Sequence, residues 1–114
     1  MSDTIFHKII RHEIPATIVF EDEELIAFRD VTPVAPVHIL VVPKETIPSL
    51  REATAAHEQL LGRMLLVVTE LARKEGIEQS GYRVVINAGP EGGQTVMQLH
   101  MHLIGKRPCE WPPG

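Results

Sequence analysis

Hydrophobic and polar positions change period several times along this chain, and each change marks an element. Ile5, Phe6, Ile9 and Ile10 form the apolar side of a short helix over residues 5–11, capped by Asp3 or Thr4 and closed before Pro15. ATIVFE (16–21) and LIAFRD (25–30) read as two strands flanking the acidic turn Glu21–Glu24, hence a hairpin. TPVAP (32–36) cannot continue either regular element and reads as a fixed loop. VHILVV (37–42) is a third strand, with His38 its one polar side chain. After a connector over 45–50 the period changes. Leu60, Leu61, Met64, Leu65, Val68, Leu71 and Ala72 recur three and four residues apart, predicting an amphipathic helix from Ala53 to about Lys74. Gly76 can supply its left-handed cap, and His57 near its start is expected in solvent. YRVVIN (82–87) is a fourth strand. From Val96 on, the odd positions through Leu103 are apolar and the even positions Gln98, His100 and His102 polar, which predicts a fifth. Apart from the long helix, the connections are short, which favours antiparallel pairing. The expectation is an α+β domain over residues 1–114: a five-stranded antiparallel sheet with one major helix on one face and a short N-terminal helix.

The alternating stretch carries the chemistry. Met97, Leu99, Met101 and Leu103 are apolar, while Gln98, His100 and His102 fall on the opposite face. Two imidazoles there stand roughly 6–7 Å apart at the backbone, from a rise of about 3.3 Å per residue, so both can address one small group such as a phosphate. The preceding loop, Gly89-Pro90-Glu91-Gly92-Gly93, lets backbone come close to a ligand. A merely exposed polar face would show the same alternation. A lone histidine such as His38 in an apolar strand is, by itself, ordinarily part of the core.

Composition narrows the classes. An apolar share of 44% and a charged share of 23% are ordinary for a soluble globular domain. A net charge of −4, with Lys106-Arg107 the most basic local cluster, argues against nucleic acid as partner. Cys109 is the single cysteine, so neither a disulfide framework nor a cysteine metal cluster is available. The beginning MSDT lacks a signal-like pattern and no apolar run reaches transmembrane length, so the expected location is the cytoplasm, without membrane contact.

With His38, Asn87 and the glycine loop placed beside QLHMHLI, the sequence resembles the histidine-triad (HIT) superfamily, nearest its Hint branch of small nucleoside phosphoramidases. The signature there is His-φ-His-φ-His-φ-φ, with φ apolar. DTIFHKIIRHEIPA, AFRDVTPVAPVHILVVPK, INAGPEGGQTV, QLHMHLIG and the closing WPPG carry the resemblance, which spans almost the whole chain. It implies hydrolysis of nucleoside phosphoramidates of the AMP–amine or AMP–lysine type, through a nucleotidyl-histidine at His100. His102 would hold a phosphate oxygen, and partly cationic rings with the loop amides would stabilise charge. Gln94 and Thr95 would contact phosphate, with Asn87 and Gly93 lining its site. Asp30 would accept both ribose hydroxyls. Ile5, Phe6, Ile9, Phe28 and Val31 would form the purine slot, and His38 would stand behind the triad. No cofactor and no metal site is implied: His7 stands in the N-terminal segment and Cys-x-x-Cys is missing. The resemblance also implies a homodimer through the long helix and the last strand, with the Trp111 tail near the partner subunit.

The departure is Gln98, where the family has its first histidine. A glutamine can hydrogen-bond but cannot take up a proton near neutral pH. The first reading is an enzyme that keeps its hydrolytic activity. The alternative is a purine-nucleotide-binding regulatory protein with vestigial catalysis. A metal site built from His100, His102 and His38 is the third.

Overall fold

Strand alternation divides the sheet's side chains between two separate cores. The structure is a computed structural model that describes residues 3–114, so the first two residues of the expected domain lie outside it. Helix α1 (Ile5–Ile10) precedes strands β1 (Ile18–Glu21), β2 (Leu25–Arg29) and β3 (Val37–Pro43). Two 3-10 turns, Leu50–Glu52 and Ala55–His57, lead into helix α2 (Glu58–Lys74), followed by β4 (Tyr82–Val85) and β5 (Met101–Gly105). The sheet runs β1-β2-β3-β5-β4, antiparallel throughout. On one face Leu25, Ala27, Ile39, Val41, Met101 and Leu103 pack against Met64, Val68, Leu71 and Ala72 of α2. On the other, Ile26, Phe28, Leu40 and Val42 pack against Phe6 and Ile9 of α1. β3 is central, with all seven residues buried, and it supplies both cores by turns.

The antiparallel α+β fold is as expected, with Thr4 as the cap of α1 and Gly76 in the left-handed conformation after α2. The element bounds differ where polar side chains capture backbone groups. β5 begins at Met101, not Val96, because the chain before it bonds to the 43–47 segment: the Leu99 amide donates to the Ile47 carbonyl at 2.7 Å. α2 begins at Glu58, because Thr54 is extended (φ −130°, ψ 179°) and its hydroxyl caps the turn ahead of the helix. His57 is not out in solvent. Its side chain is 17% exposed, accepting from the Thr54 amide through Nδ1 and contacting Glu45 through Nε2 at 3.0 Å.

A dimer through the last strand does not fit the topology, because β5 lies between β3 and β4 with both of its edges already bonded. The free edge on that side is β4. Trp111, expected to pack on something, is 83% exposed within the protomer. No helix among the described residues is long and apolar enough to cross a membrane.

Candidate active site

The cleft opens on the α1 face of the sheet, beside the end of β5 where the alternating stretch enters. It encloses about 280 Å³, and Phe6, Ile9, Phe28, Asp30, Thr95, His100 and His102 all line it, with Ile5 and Val31 at its rim. The expected slot and the two histidines are therefore brought together. Ile14, Pro15, Ala16, Leu40 and Val96 complete its apolar wall, unanticipated by sequence. Ile14-Pro15-Ala16 precedes a strand as a small apolar run, the one signal that could have pointed to it. Arg29 also borders the cleft, but both of its terminal nitrogens are bonded to Glu75 at 2.9 and 3.0 Å.

Hydrogen bonding fixes the protonation pattern of the imidazoles. His100 Nδ1 lies 2.7 Å from the backbone carbonyl of Gln98, which can only accept. The proton of the neutral ring is thus on Nδ1, and Nε2 keeps its lone pair. Phe6 meets this ring edge-on at 4.9 Å between centroids, and the His102 ring is 5.0 Å away. His38, 5% exposed, accepts from the Val34 amide at Nδ1 (3.2 Å), so its proton is on Nε2. From there it donates to His102 Nδ1 at 2.9 Å, which leaves His102 with an Nε2–H to offer. Asp30 Oδ1 accepts from the Thr32 amide at 2.8 Å, and Oδ2 stands 3.5 Å from His38 Nε2.

These rings are neutral at rest, against the expectation of partly cationic ones. Burial pushes His100 below the ordinary histidine range, with the Gln98 carbonyl opposing the shift. His102 falls to about 4, through burial first and then through the neighbouring His100 and His38. His38 is also lowered by burial, partly offset by Asp30. Charge arriving on a ligand would thus meet neutral N–H and O–H donors.

Asn87, Gly93 and Gln94, expected at the phosphate, are not among the residues lining the cleft. Asn87 Nδ2 donates to the Gly92 carbonyl at 2.7 Å. Gln94 accepts from the Gly89 amide through Oε1 and donates through Nε2 to the Pro48 and Val96 carbonyls. They shape the loop, with Gly93 in the left-handed conformation (φ 77°). Gln98 and His38 likewise stand behind the cleft wall. The Gln98 side chain is fully buried and faces the 43–47 backbone, not the other two triad positions.

Among the described residues, the donors of Asp30, His38 and His102 lie within 4.8 Å of one another, a spacing that could hold a cation. The donor set does not fit one. With the Val34 amide on Nδ1, the His38 Nε2 must carry a proton and cannot ligate.

Comparison with known proteins places these features in a family. The model of a family described as "HIT domain" matches residues 11–109. An uncharacterized HIT-like protein of Synechococcus elongatus is 62% identical over 98% of this chain and 97% of its own length. The purine nucleoside phosphoramidase of Escherichia coli K12 is 51% identical, covering 93% of this chain and 89% of its own. The crystal structure of a HIT family hydrolase from Legionella pneumophila superposes with a TM-score of 0.96 at 44% identity, covering 98% of this chain and all of that one.

Proposed function

Since this chain belongs to the HIT-domain family, we propose that it hydrolyses purine nucleoside phosphoramidates, releasing AMP and an amine. One observation carries the reading: His100 has its Nδ1–H held by a carbonyl, so its free lone pair is on Nε2, in a ring that lines a cleft ending in an apolar slot. Imidazole with an unprotonated nitrogen near pH 7 is a competent nucleophile toward phosphorus. Nε2 forms a bond to the α-phosphorus as the P–N bond to the amine breaks, and the amine takes a proton from solvent at the open mouth. The ring is now cationic, and the Gln98 carbonyl on its Nδ1–H stabilises that charge. Water then attacks phosphorus, the electron pair of the Nε2–P bond returns to the ring, and the water's proton leaves to solvent. His102 Nε2–H and the Thr95 hydroxyl serve as donors to the phosphoryl oxygens, in place that does not have to be reorganised. Asp30 accepts from the ribose hydroxyls, and the slot between Phe6, Ile9 and Phe28 takes the base.

A fluorogenic adenosine phosphoramidate tests this. The parent protein turns it over, and His100→Asn removes turnover while AMP binding stays within about tenfold, because the slot and Asp30 are untouched. A His100→Asn protein within tenfold of the parent rate would sink the assignment. A parent that binds AMP without turnover would favour the regulatory reading.

We also propose a homodimer. Trp111, with Leu65 and Leu66 of α2, stays exposed on the protomer, and β4 offers an unpaired edge. Sedimentation at micromolar concentration should give a species of about twice the 12.7 kDa chain mass. A single 12.7 kDa species would end the proposal.

A further inference from the structure

Gln98 makes a set of hydrogen bonds that neither an imidazole nor a carboxylate could reproduce. Its Oε1 accepts from the Ile47 amide at 3.1 Å, and Nε2 donates both hydrogens, to the carbonyls of Pro43 at 3.0 Å and Glu45 at 2.8 Å. The 43–47 backbone presents one donor and two acceptors, and a primary amide supplies their complement. A neutral imidazole has one donor and one acceptor, an imidazolium two donors, and a carboxylate only acceptors. The main chain continues the attachment, since the Leu99 amide donates to the Ile47 carbonyl and the Gln98 carbonyl accepts from His100 Nδ1, both at 2.7 Å.

The 43–47 segment is itself held from outside. Thr4-Ile5-Phe6-His7 and Thr54-Ala55-Ala56-His57 form two capping boxes of the same pattern. Their histidines reach consecutive residues of the segment: His7 Nε2 is 3.4 Å from Thr46 Oγ1, and His57 Nε2 is 3.0 Å from Glu45 Oε2. A fixed strip of backbone thus lies under the residue that precedes the nucleophile by two.

We propose that Gln98 is a positioning residue for His100: its amide bolts the 98–99 peptide to the 43–47 segment, and this aims the Gln98 carbonyl at Nδ1 and keeps the lone pair on Nε2. The inference rests on the reading of His100 as nucleophile. Gln98 cannot take up a proton near neutral pH, and where the family signature has a titratable side chain this chain has a complete set of bonds to backbone.

Two readouts test it, one independent of activity. Long-range proton–nitrogen spectra of the full chain, with His100 assigned by its loss in His100→Asn, report the tautomer directly. The parent should show His100 protonated on Nδ1. Gln98→Met, similar in length but without hydrogen bonds, should show a mixture of tautomers and a kcat at least tenfold lower, with KM within about threefold. Gln98→His, a second variant, should fall in kcat rather than gain. The proposal is overturned by a parent His100 protonated on Nε2, or by a folded Gln98→Met that keeps the parent tautomer and kcat. A tenfold rise in kcat for Gln98→His overturns it too, since that position would then be a proton carrier. A parent inactive on the phosphoramidate defeats the proposed function instead, and the tautomer comparison still decides the placement.

Discussion

Acidification should destabilise this protein through His102, and the size of the effect can be worked out. The ring titrates at the ordinary 6.5 in the unfolded chain and at about 4 in the native one, chiefly because it is buried. Between those values the unfolded state binds more protons, so stability rises with pH there and is lost as pH falls below 6.5. At pH 5 the unfolded ring is almost wholly protonated and the native ring almost wholly neutral. Each unit between 6.5 and the working pH is worth about 1.36 kcal/mol, giving about 2 kcal/mol at pH 5. The ring is partly open to the cleft, and screening by that water reduces the figure to about 1 kcal/mol. His102→Asn can still accept from His38 Nε2–H but cannot titrate. Urea unfolding at pH 7 and pH 5 should therefore show the parent losing about 1 kcal/mol more than His102→Asn. Equal losses, or a larger loss in the variant, would refute the assignment of His102 as a buried neutral ring.

Three further outcomes follow from geometry. Gly92→Ala should lower turnover more than tenfold, because a β-carbon there would overlap the backbone oxygen and nitrogen of Ala88 and force the loop before Thr95 to move; a steady-state assay on purified, folded variant checks this. Asp30→Asn should raise KM about tenfold for a ribonucleoside substrate and leave the 2′,3′-dideoxy analogue unchanged, since a hydrogen bond to a charged acceptor is worth about 1.5–3 kcal/mol. Leu71→Ala, at a site 3% exposed on the α2 face, should cost about 2–5 kcal/mol in urea unfolding while kcat stays within about twofold.

What was legible in the sequence was whatever leaves a periodic or local trace. β2 and β3 are short apolar runs bounded by turns, and the apolar positions of α2 recur at helical spacing, so the sheet and the helix emerge from pattern, whereas the slot residues Phe6, Ile9 and Phe28 came from the family resemblance. His100 and His102 were found by alternation, although the first of them precedes β5. Bonds from side-chain amides to distant backbone leave no such trace. Nothing in a one-dimensional pattern says that Gln94 answers to Pro48, or Gln98 to Pro43 and Glu45, across some fifty positions. That is why the glycine-loop residues were expected at a ligand and found holding the loop. It is also why the alternation through Gln98 suggested a shared face that the crossing over 43–47 removes. The charge state of the rings was hidden for a related reason, since burial belongs to the assembled fold.

β3 works as a reading frame. Its even-numbered residues, His38, Leu40 and Val42, belong to the side that does chemistry, and its odd-numbered residues Ile39 and Val41 to the side that holds α2. Deleting one residue between Val37 and Pro43 would transpose the two sets downstream of it, exchanging side chains that pack under α2 with those on the α1 side. Inserting two would restore the frame yet carry His38 about 6–7 Å along the strand, out of reach of His102. Length in this heptapeptide is therefore as constrained as composition, whereas the exposed turn after Glu21 could change length without moving either face of the sheet.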